Sequence, residues 1–263
     1  MTKVEDSWLF VPAIEKYLQG AAKDCAQNII YDLEDSLKDT EKEQGLELLV
    51  SALSHKEYGQ HIYVRINRGE RMKHELLRLK ECQIDGFFIP KFENADILNE
   101  YENLLEGKKL IALLETPAGI IHLESFANDQ RLYGFAFGGE DFCSCLGVSV
   151  NDDAIRYAQG KIVLWAAYVH KFALDTVCFE ISDMDFFRKK AEESFQMGFR
   201  SRLLIHPRQV DVIRKIKEYQ DRAVIEKTIV QYEKSGSGVV VIEGKIYEKP
   251  HIERLKKLIK QEE

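Results

Sequence analysis

The chain of 263 residues is long enough for one large domain or two small ones. Its composition, 45% hydrophobic and 31% charged, is that of an ordinary globular protein and excludes the collagen-like, low-complexity and disordered classes. A formal net charge of −7 provides no basic surface of the kind that nucleic acids or anionic membranes require, so we expect neither as a partner.

The sequence lacks the signals that direct a chain into or across a membrane. Its most apolar stretch, residues 165–177, is interrupted by His170, Lys171 and Asp175 and is too short to span a bilayer. Residues 1–6 carry two acids and no apolar core of the kind that a signal peptide needs. We therefore expect a cytoplasmic protein.

Short apolar runs alternate with stretches of helical periodicity along the first 219 residues. The predicted strands are residues 7–11, 28–33, 61–66, 85–89, 109–114, 132–137, 174–179 and 202–205. The predicted helices are residues 14–23, 38–53, 71–82, 95–105, 118–127, 153–171, 184–196 and 209–219. Eight alternating units predict an α/β fold, a (β/α)8 TIM barrel over residues 1–219, with an open doubly wound sheet as the alternative.

The C-terminal extension, residues 220–263, differs in character from the barrel. A charged helical stretch at 213–234 leads to a Ser-Gly hinge at 235–238, a predicted hairpin at 239–247 and a helix after Pro250. The residues after the hinge are too few to own a hydrophobic core. We therefore predict a lid that packs on the barrel or on a neighbouring chain, and a homo-oligomeric protein.

Polar residues and glycines follow the predicted strands at the end where TIM barrels carry their active sites. They are Glu34, Asp35, Arg65, Asn67, Lys91, Glu115, Gly138, Gly139, Glu140, Asp141 and His206. Each alone is compatible with a helix cap, a solvated strand end or a turn. Their convergence at one mouth favours a functional site.

Glu115 and Asp141 follow neighbouring strands, so their carboxylates can face the same point. Two carboxylates that leave positions for water and substrate are typical of Mg²⁺ sites. Zinc would require His or Cys ligands, and His206 is the one imidazole expected at the mouth. Arg65 offers a planar fork that matches a substrate carboxylate, with a structural ion pair to Glu34 or Asp35 as the alternative.

Seven segments, in order and spacing, resemble the successive motifs of the HpcH/HpaI aldolase and citrate lyase beta-subunit superfamily. They are SWLFVP at 7–12, YDLED at 31–35, VRIN at 64–67, PK at 90–91, ETPAG at 115–119, GGEDF at 138–142 and IHPRQ at 205–209. The likeness covers residues 7–252 and is nearest to the citrate lyase beta-subunit and malyl- or citramalyl-coenzyme A (CoA) lyase branch.

The resemblance implies a magnesium-dependent carbon–carbon lyase that cleaves, or forms, a β-hydroxyacyl thioester, giving an acyl thioester and an α-keto acid. It implies that Glu115 and Asp141 bind the metal, that Arg65 binds the substrate carboxylate, and that the acids at 34 and 35 hold the metal's waters. Backbone N–H groups near Gly138 and Gly139 would bind the substrate carboxylate together with Arg65. The remaining residues predicted to bind substrate are Lys91 and Glu140.

The family's lyases supply an aspartate from a C-terminal lid, often to a neighbouring subunit, within a motif of the type GKMIDxP. The matching stretch is GKIYEKP at 244–250, which puts Glu248 where the aspartate is expected. The resemblance therefore implies that Glu248 is the general acid or base, with a carboxylate one methylene longer. The alternative is an ordinary surface acid.

Three positions depart from the family pattern. Asp6 and Gln159 stand where arginines are expected, the first of them near the CoA phosphates, and Ala13 replaces a glycine. The substrate could therefore be a thioester of CoA, a thioester of a carrier protein, or a small acid without a carrier. A carrier-free aldolase that acts on free hydroxy-keto acids and a non-catalytic metabolite-binding paralogue are the alternative functions.

Overall fold

Continuous apolar runs form the strands, and the helices between them cover the strands from outside. The structure, a computed structural model, describes residues 7–21, 26–54, 59–150, 152–218 and 222–260. The chain divides into two compact units that separate between Arg214 and Lys215. The predicted domain boundary at 219–220 lies outside the described residues.

The first unit is a closed barrel of parallel strands in which β8 pairs with β1. Its strands are β1 (Trp8–Pro12), β2 (Asn28–Asp32), β3 (His61–Arg65), β4 (Gly86–Ile89), β5 (Lys109–Leu114), β6 (Leu132–Phe137), β7 (Phe172–Asp175) and β8 (Ser201–Leu204). The predicted TIM barrel is confirmed, and closure between β8 and β1 excludes the open sheet.

Helices follow the strands in the predicted order. They are α1 (Glu15–Ala21), α2 (Lys42–Ser54), α3 (Glu70–Leu79), α4 (Asp96–Glu100), α5 (Glu102–Leu105), α6 (Pro117–Ile121), α7 (Leu123–Phe126), α8 (Gly139–Leu146), α9 (Asp152–Tyr168), α10 (Met184–Met197) and α11 (Pro207–Glu218). Two predicted helices are each divided, into α4 with α5 and α6 with α7. Helix α8, directly after β6, is not among the predicted helices.

Strand β7 is displaced from its predicted position, because the apolar pattern continues past the residue where the strand ends. The ladder stops at Asp175, whose Oδ1 accepts the amide of Thr176 at 2.8 Å. The following segment is not part of a strand, and Phe179 and Ile181 are exposed. The apolar run that predicts a strand over 174–179 therefore belongs partly to a loop.

Aromatic side chains fill the barrel beneath its mouth. The indole of Trp8 lies 4.9 Å from the ring of Tyr63, 5.9 Å from that of Phe88 and 5.6 Å from that of Phe172, measured between ring centroids. Each such side chain contributes roughly 1.5–3 kcal/mol by leaving water. The interior of the barrel is therefore filled with side chains. Because the strands are parallel, the polar residues that follow them lie together at the C-terminal mouth.

The second unit contains α12 (Arg222–Ser235), β9 (Val239–Ile242), β10 (Lys245–Glu248) and α13 (Lys249–Lys260), and α12 packs on β9 and α13. Its antiparallel hairpin turns at Glu243 and Gly244, whose φ angles of +50° and +79° are those of a type I′ turn. The predicted hairpin is confirmed. No described helix is both long and apolar enough to cross a bilayer.

Candidate metal and substrate site

Arg65, the last residue of β3, forms a bidentate ion pair with Asp32, the last residue of β2. Its Nε lies 2.6 Å from Asp32 Oδ1, and its Nη2 lies 2.6 Å from Asp32 Oδ2. The two residues are register partners in adjacent strands, which places the side chains next to each other. Burial raises the pKa of Asp32, but Arg65 outweighs it and the net pKa is lowered. Asp32 is therefore the anionic anchor of Arg65.

The third nitrogen of the guanidinium faces the two acids predicted to hold water. Arg65 Nη1 lies 3.1 Å from Glu34 Oε2 and 3.0 Å from Asp35 Oδ2, and the guanidinium lies 5.0 Å from the ring centroid of Phe10. The structural ion pair weighed as an alternative is confirmed, and Asp32 is an additional partner that sequence analysis missed. Substrate binding by Arg65 stays a prediction, and the Nη1 edge is the side that faces the acids of the site.

Glu115 lies directly after β5 and is 1% exposed. Its Oε1 accepts the amide of Lys91 at 2.7 Å, while Lys91 Nζ lies 3.3 Å from Glu34 Oε1. The φ of Lys91 is +46°, a left-handed conformation that costs a residue with a side chain roughly 1 kcal/mol or more. Burial lowers the pKa of Lys91, but Glu34 and Glu115 outweigh it and raise the pKa. Lys91 thus joins two of the predicted site acids.

Negative charge is crowded at this mouth. Burial, with repulsion from Glu34 and Asp141, raises the pKa of Glu115 to about 8. Burial and Asp35 raise the pKa of Asp141, which lies half-buried in the first turn of α8. Burial also raises the pKa of Glu34 despite the nearby Arg65. Among the described residues, the charged groups that interact here are Asp32, Glu34, Asp35, Glu115, Asp141, Arg65 and Lys91.

The donor set fits a hard divalent cation. Carboxylates outnumber cationic side chains, and Oε2 of Glu34 is buried with the ion-pair contact to Arg65 Nη1 at 3.1 Å but no hydrogen bond. In the described part of the chain, no three His, Cys, Asp or Glu side chains converge into a complete metal cage. A cation held by Glu115 and Asp141 would take its other oxygens from water or substrate, which suits Mg²⁺ better than Zn²⁺.

The amides of Gly138 and Gly139 themselves already have acceptors, so binding of the substrate carboxylate by amides near these two residues stays a prediction. Gly138 N–H donates to the carbonyl of Leu114 at 3.0 Å, and Gly139 N–H donates to Thr176 Oγ1 at 2.9 Å. As α8 begins at Gly139, the amides at 140 and 141 have no acceptor inside the helix. The side chain of Glu140 is exposed, and its predicted contact with substrate stays a prediction.

Gly138 leaves the space that Glu115 occupies. A Cβ at Gly138 would lie 2.5 Å from Glu115 Cβ and 2.7 Å from Glu115 Oε2. We expect Gly138→Ala to displace Glu115, to destabilise the fold by roughly 1–3 kcal/mol and to weaken Mg²⁺ binding. Chemical denaturation and calorimetry measure the two effects.

Gly160→Ala in α9 is the matched control, because nothing lies within 4 Å of the added Cβ. It should leave Mg²⁺ binding unchanged and leave stability equal or higher by up to about 1 kcal/mol. Equal Mg²⁺ affinities in the two variants would contradict the steric role of Gly138.

Comparison with known proteins decides the family. The model of the HpcH/HpaI aldolase/citrate lyase family matches residues 6–207. The chain belongs to this family. The resemblance carried by the seven motifs is therefore confirmed.

Relatives of this family member include proteins with different named activities. It is 30% identical over 257 residues to a (3S)-malyl-CoA thioesterase of Cereibacter sphaeroides, covering 94% of this chain and 90% of that protein. It is 26% identical to the citrate lyase subunit beta of Leuconostoc mesenteroides subsp. cremoris, covering 89% and 85%. Family membership alone thus leaves the reaction open between these activities.

Solved structures of the family have been crystallised with magnesium. CitE of Mycobacterium tuberculosis in complex with magnesium, acetoacetate and coenzyme A is 25% identical, with a TM-score of 0.84 and 99% of both chains covered. The citrate lyase beta subunit of the same organism, complexed with oxaloacetate and magnesium, is 28% identical with a TM-score of 0.70, covering 80% of this chain and 96% of that one.

Two further mouth residues have structural partners. Asn67 donates from Nδ2 to Glu75 Oε1 at 2.6 Å and from its amide to Glu75 Oε2 at 2.7 Å, which fixes the loop between β3 and α3. His206 Nδ1 accepts the amide of Arg208 at 3.2 Å, at the start of α11. The turn role weighed for His206 matches this contact.

Gln159 lies in the middle of α9, away from the start of the helix. It is 8% exposed, and its Nε2 donates to Asp175 Oδ1 at 2.9 Å. A buried amide engaged with Asp175 is not placed to meet a solvent-exposed phosphate, so this position gives no support to altered CoA binding. Asp6 lies outside the described residues.

Glu248, the last residue of β10, belongs to the second unit and is exposed. Its amide donates to His251 Nδ1 at 3.2 Å. The catalytic role that the family motif assigns to Glu248 stays a prediction.

Proposed function

We propose that this protein is a magnesium-dependent carbon–carbon lyase that cleaves, or forms, a β-hydroxyacyl thioester, giving an acyl thioester and an α-keto acid. The observation that carries the proposal is the buried, charge-crowded Glu115 with Asp141 at one barrel mouth. Family structures crystallised with magnesium and oxaloacetate or pyruvate support it.

Glu115 and Asp141 would hold the Mg²⁺, and Glu34 and Asp35 would orient water molecules around it. When bound, the ion supplies a Lewis acid for the charge that develops on the keto oxygen. Arg65, kept in place by Asp32, would bind the substrate carboxylate through Nη1, in exchange for its contacts with Glu34 and Asp35. The first amides of α8 favour negative charge at the same mouth.

The acyl half leaves as an enolate whose α-carbon must gain a proton, or lose one in the condensing direction. The chain must therefore present a general acid or base at that carbon. We propose Glu248 for this step, either in its own subunit or in the barrel of a neighbouring one. Its exposure on the hairpin leaves the carboxylate accessible.

Hydrolysis of a malyl-type thioester is the second candidate function. It is favoured by the 30% identity with the (3S)-malyl-CoA thioesterase. A hydrolase would use the same metal and acids to activate water at the thioester carbonyl.

A product assay separates the candidates. Incubation of malyl- and citramalyl-CoA with Mg²⁺ should release an α-keto acid, trapped as its hydrazone, without free thiol. Free thiol without keto acid would identify a thioesterase, and equal cleavage of free hydroxy-keto acids would identify a carrier-free aldolase. Mg²⁺ and keto-acid binding without any product would identify a metabolite-binding paralogue.

Glu248→Gln tests the proton-transfer step within the same assay. We expect a loss of roughly 10²–10⁴-fold in rate with an unchanged Mg²⁺ affinity, because the acid or base is removed and the metal ligands are kept. Glu253→Gln, on the neighbouring helix α13, is the control for a carboxylate in the same unit. Equal rates in the two variants would remove Glu248 from the mechanism.

A further inference from the structure

Helix α8, which carries Asp141, begins without a cap of its own. Its N-cap residue is Gly138, which has no side chain to accept an amide. The first four amides of a helix lack partners inside it, and a capping oxygen normally satisfies one of them. Here the oxygen comes from the residue after β7, because Gly139 N–H donates to Thr176 Oγ1 at 2.9 Å. Thr176 is 4% exposed, so water does not compete for this contact.

Gly139 and Thr176 are also fitted to each other in shape. A Cβ at Gly139 would lie 2.9 Å from Thr176 Oγ1 and 3.2 Å from its Cβ and Cγ2. The threonine therefore occupies the space in front of this glycine. The contact fixes the distance between the residue after β7 and the first turn of α8.

Thr176 is in turn held by a buried polar network. Its amide donates to Asp175 Oδ1 at 2.8 Å, and the same oxygen accepts Gln159 of α9 at 2.9 Å. Asp175 Oδ2 accepts Ser194 of α10 at 2.5 Å and lies 3.2 Å from Arg202 Nη1 of β8. Three surrounding elements thus determine where the hydroxyl stands.

We propose that Thr176 is a positioning residue for the metal-binding aspartate: its buried hydroxyl, directly after β7, caps α8 and sets the position of Asp141 relative to Glu115. The inference rests on the proposed metal site at these two carboxylates. Asp141 is two residues beyond Gly139, in the turn that the cap fixes. Groups that orient metal ligands typically change metal affinity ten- to a hundredfold when removed.

The test compares Thr176→Val, which keeps the shape and removes the oxygen, with Thr176→Ser, which keeps the oxygen. Mn²⁺ binding is measured by electron paramagnetic resonance on the full-length protein without substrate. We expect about ten- to a hundredfold weaker binding for the valine variant and native affinity for the serine variant. In metal-free protein, hydrogen exchange at the Gly139 amide should accelerate in the valine variant alone.

Thr228→Val is the matched control, since Thr228 is also buried and its hydroxyl donates within α12 of the other unit, to the carbonyl of Val224 at 2.8 Å. Native Mn²⁺ affinity in Thr176→Val would overturn the positioning role and leave the proposed function intact. Absence of Mn²⁺ binding in the native protein would instead overturn the proposed metal site.

Should Thr176→Val fail to fold, Thr176→Cys replaces it in the comparison with Thr176→Ser. Cysteine has nearly the shape of serine, but its sulfur is a weak acceptor. Weaker Mn²⁺ binding by the cysteine variant supports the inference, and equal binding by the two variants overturns it.

Discussion

Glu115→Gln should abolish Mg²⁺ binding and product formation and yet stabilise the metal-free protein at high pH. The carboxylate of Glu115 is buried, and Glu34 and Asp141 repel its charge. Glutamine keeps an oxygen for the amide of Lys91, which donates at 2.7 Å in the native protein. The substitution therefore removes an unfavourable charge without removing that hydrogen bond, while the metal loses an anionic ligand.

The sign of the pH dependence follows from the direction of the pKa shift. The pKa of Glu115 is about 8 in the folded protein against 4.5 for the unperturbed group. Between these values the folded state binds more protons than the unfolded state, so the free energy of unfolding falls as pH rises through this window. Above it the penalty reaches a few kcal/mol. We expect Glu115→Gln to lack this decline.

Urea denaturation in the presence of a chelator, from pH 4.5 to 9, measures this difference. The exposed Glu106→Gln is the control and should follow the native curve. Saturating Mg²⁺ should offset most of the difference, because ligand binding stabilises the native protein alone, by about 2.7 kcal/mol at a hundred times Kd and about 4.1 kcal/mol at a thousand times Kd. Parallel curves for native protein and Glu115→Gln in chelator would contradict the charge crowding described at the mouth.

Asp32→Asn should destabilise the fold by up to roughly 3–5 kcal/mol, because the buried guanidinium of Arg65 loses its bidentate anionic partner and keeps only the Nη1 contacts with Glu34 and Asp35. The side chain of Arg65 is 11% exposed, and two of its nitrogens lie 2.6 Å from the oxygens of Asp32. The asparagine amide would also direct hydrogens toward the guanidinium. Urea denaturation at pH 7 gives the change in the free energy of unfolding.

Asp39→Asn supplies the matched control. Asp39 also pairs with a cation, Lys42, at 3.2 Å, but its side chain is 90% exposed. Exposed pairs of this kind contribute about 0–1 kcal/mol. A loss of stability for Asp32→Asn no larger than that for Asp39→Asn would show that the buried pair does not anchor Arg65.

The barrel is predictable from the sequence because its strands are buried along their length. Strands β2 and β4 are buried at every position, so their apolar runs are not obscured by solvent-facing residues. Strand β7 is predicted incorrectly because Asp175 ends it within an apolar run. Helix α8 escapes prediction because it is short and opens with glycines, which disfavour helices.

The sequence predicts which residues lie in the site, but it does not predict most of the contacts between them. Glu115, Asp141 and Glu34 follow strand ends, which the sequence reveals, and the structure shows them interacting electrostatically. The anchor of Arg65 depends on strand register: Asp32 could have been found by aligning the ends of two neighbouring strands of equal length. The partner of Gly139 is a hydroxyl 37 residues away, which no local pattern reveals.

The fluorescence of Trp8 reports whether the barrel is closed between β1 and β8. This residue lies in β1 at the seam with β8, where the register joins Trp8 to Leu203 and Leu9 to Leu204, whereas five pairs join β1 to β2. The indole is 2% exposed, so it emits from a site without solvent as long as β1 and β8 remain paired. Opening of this two-pair join would admit solvent to Trp8 and shift its emission to the red.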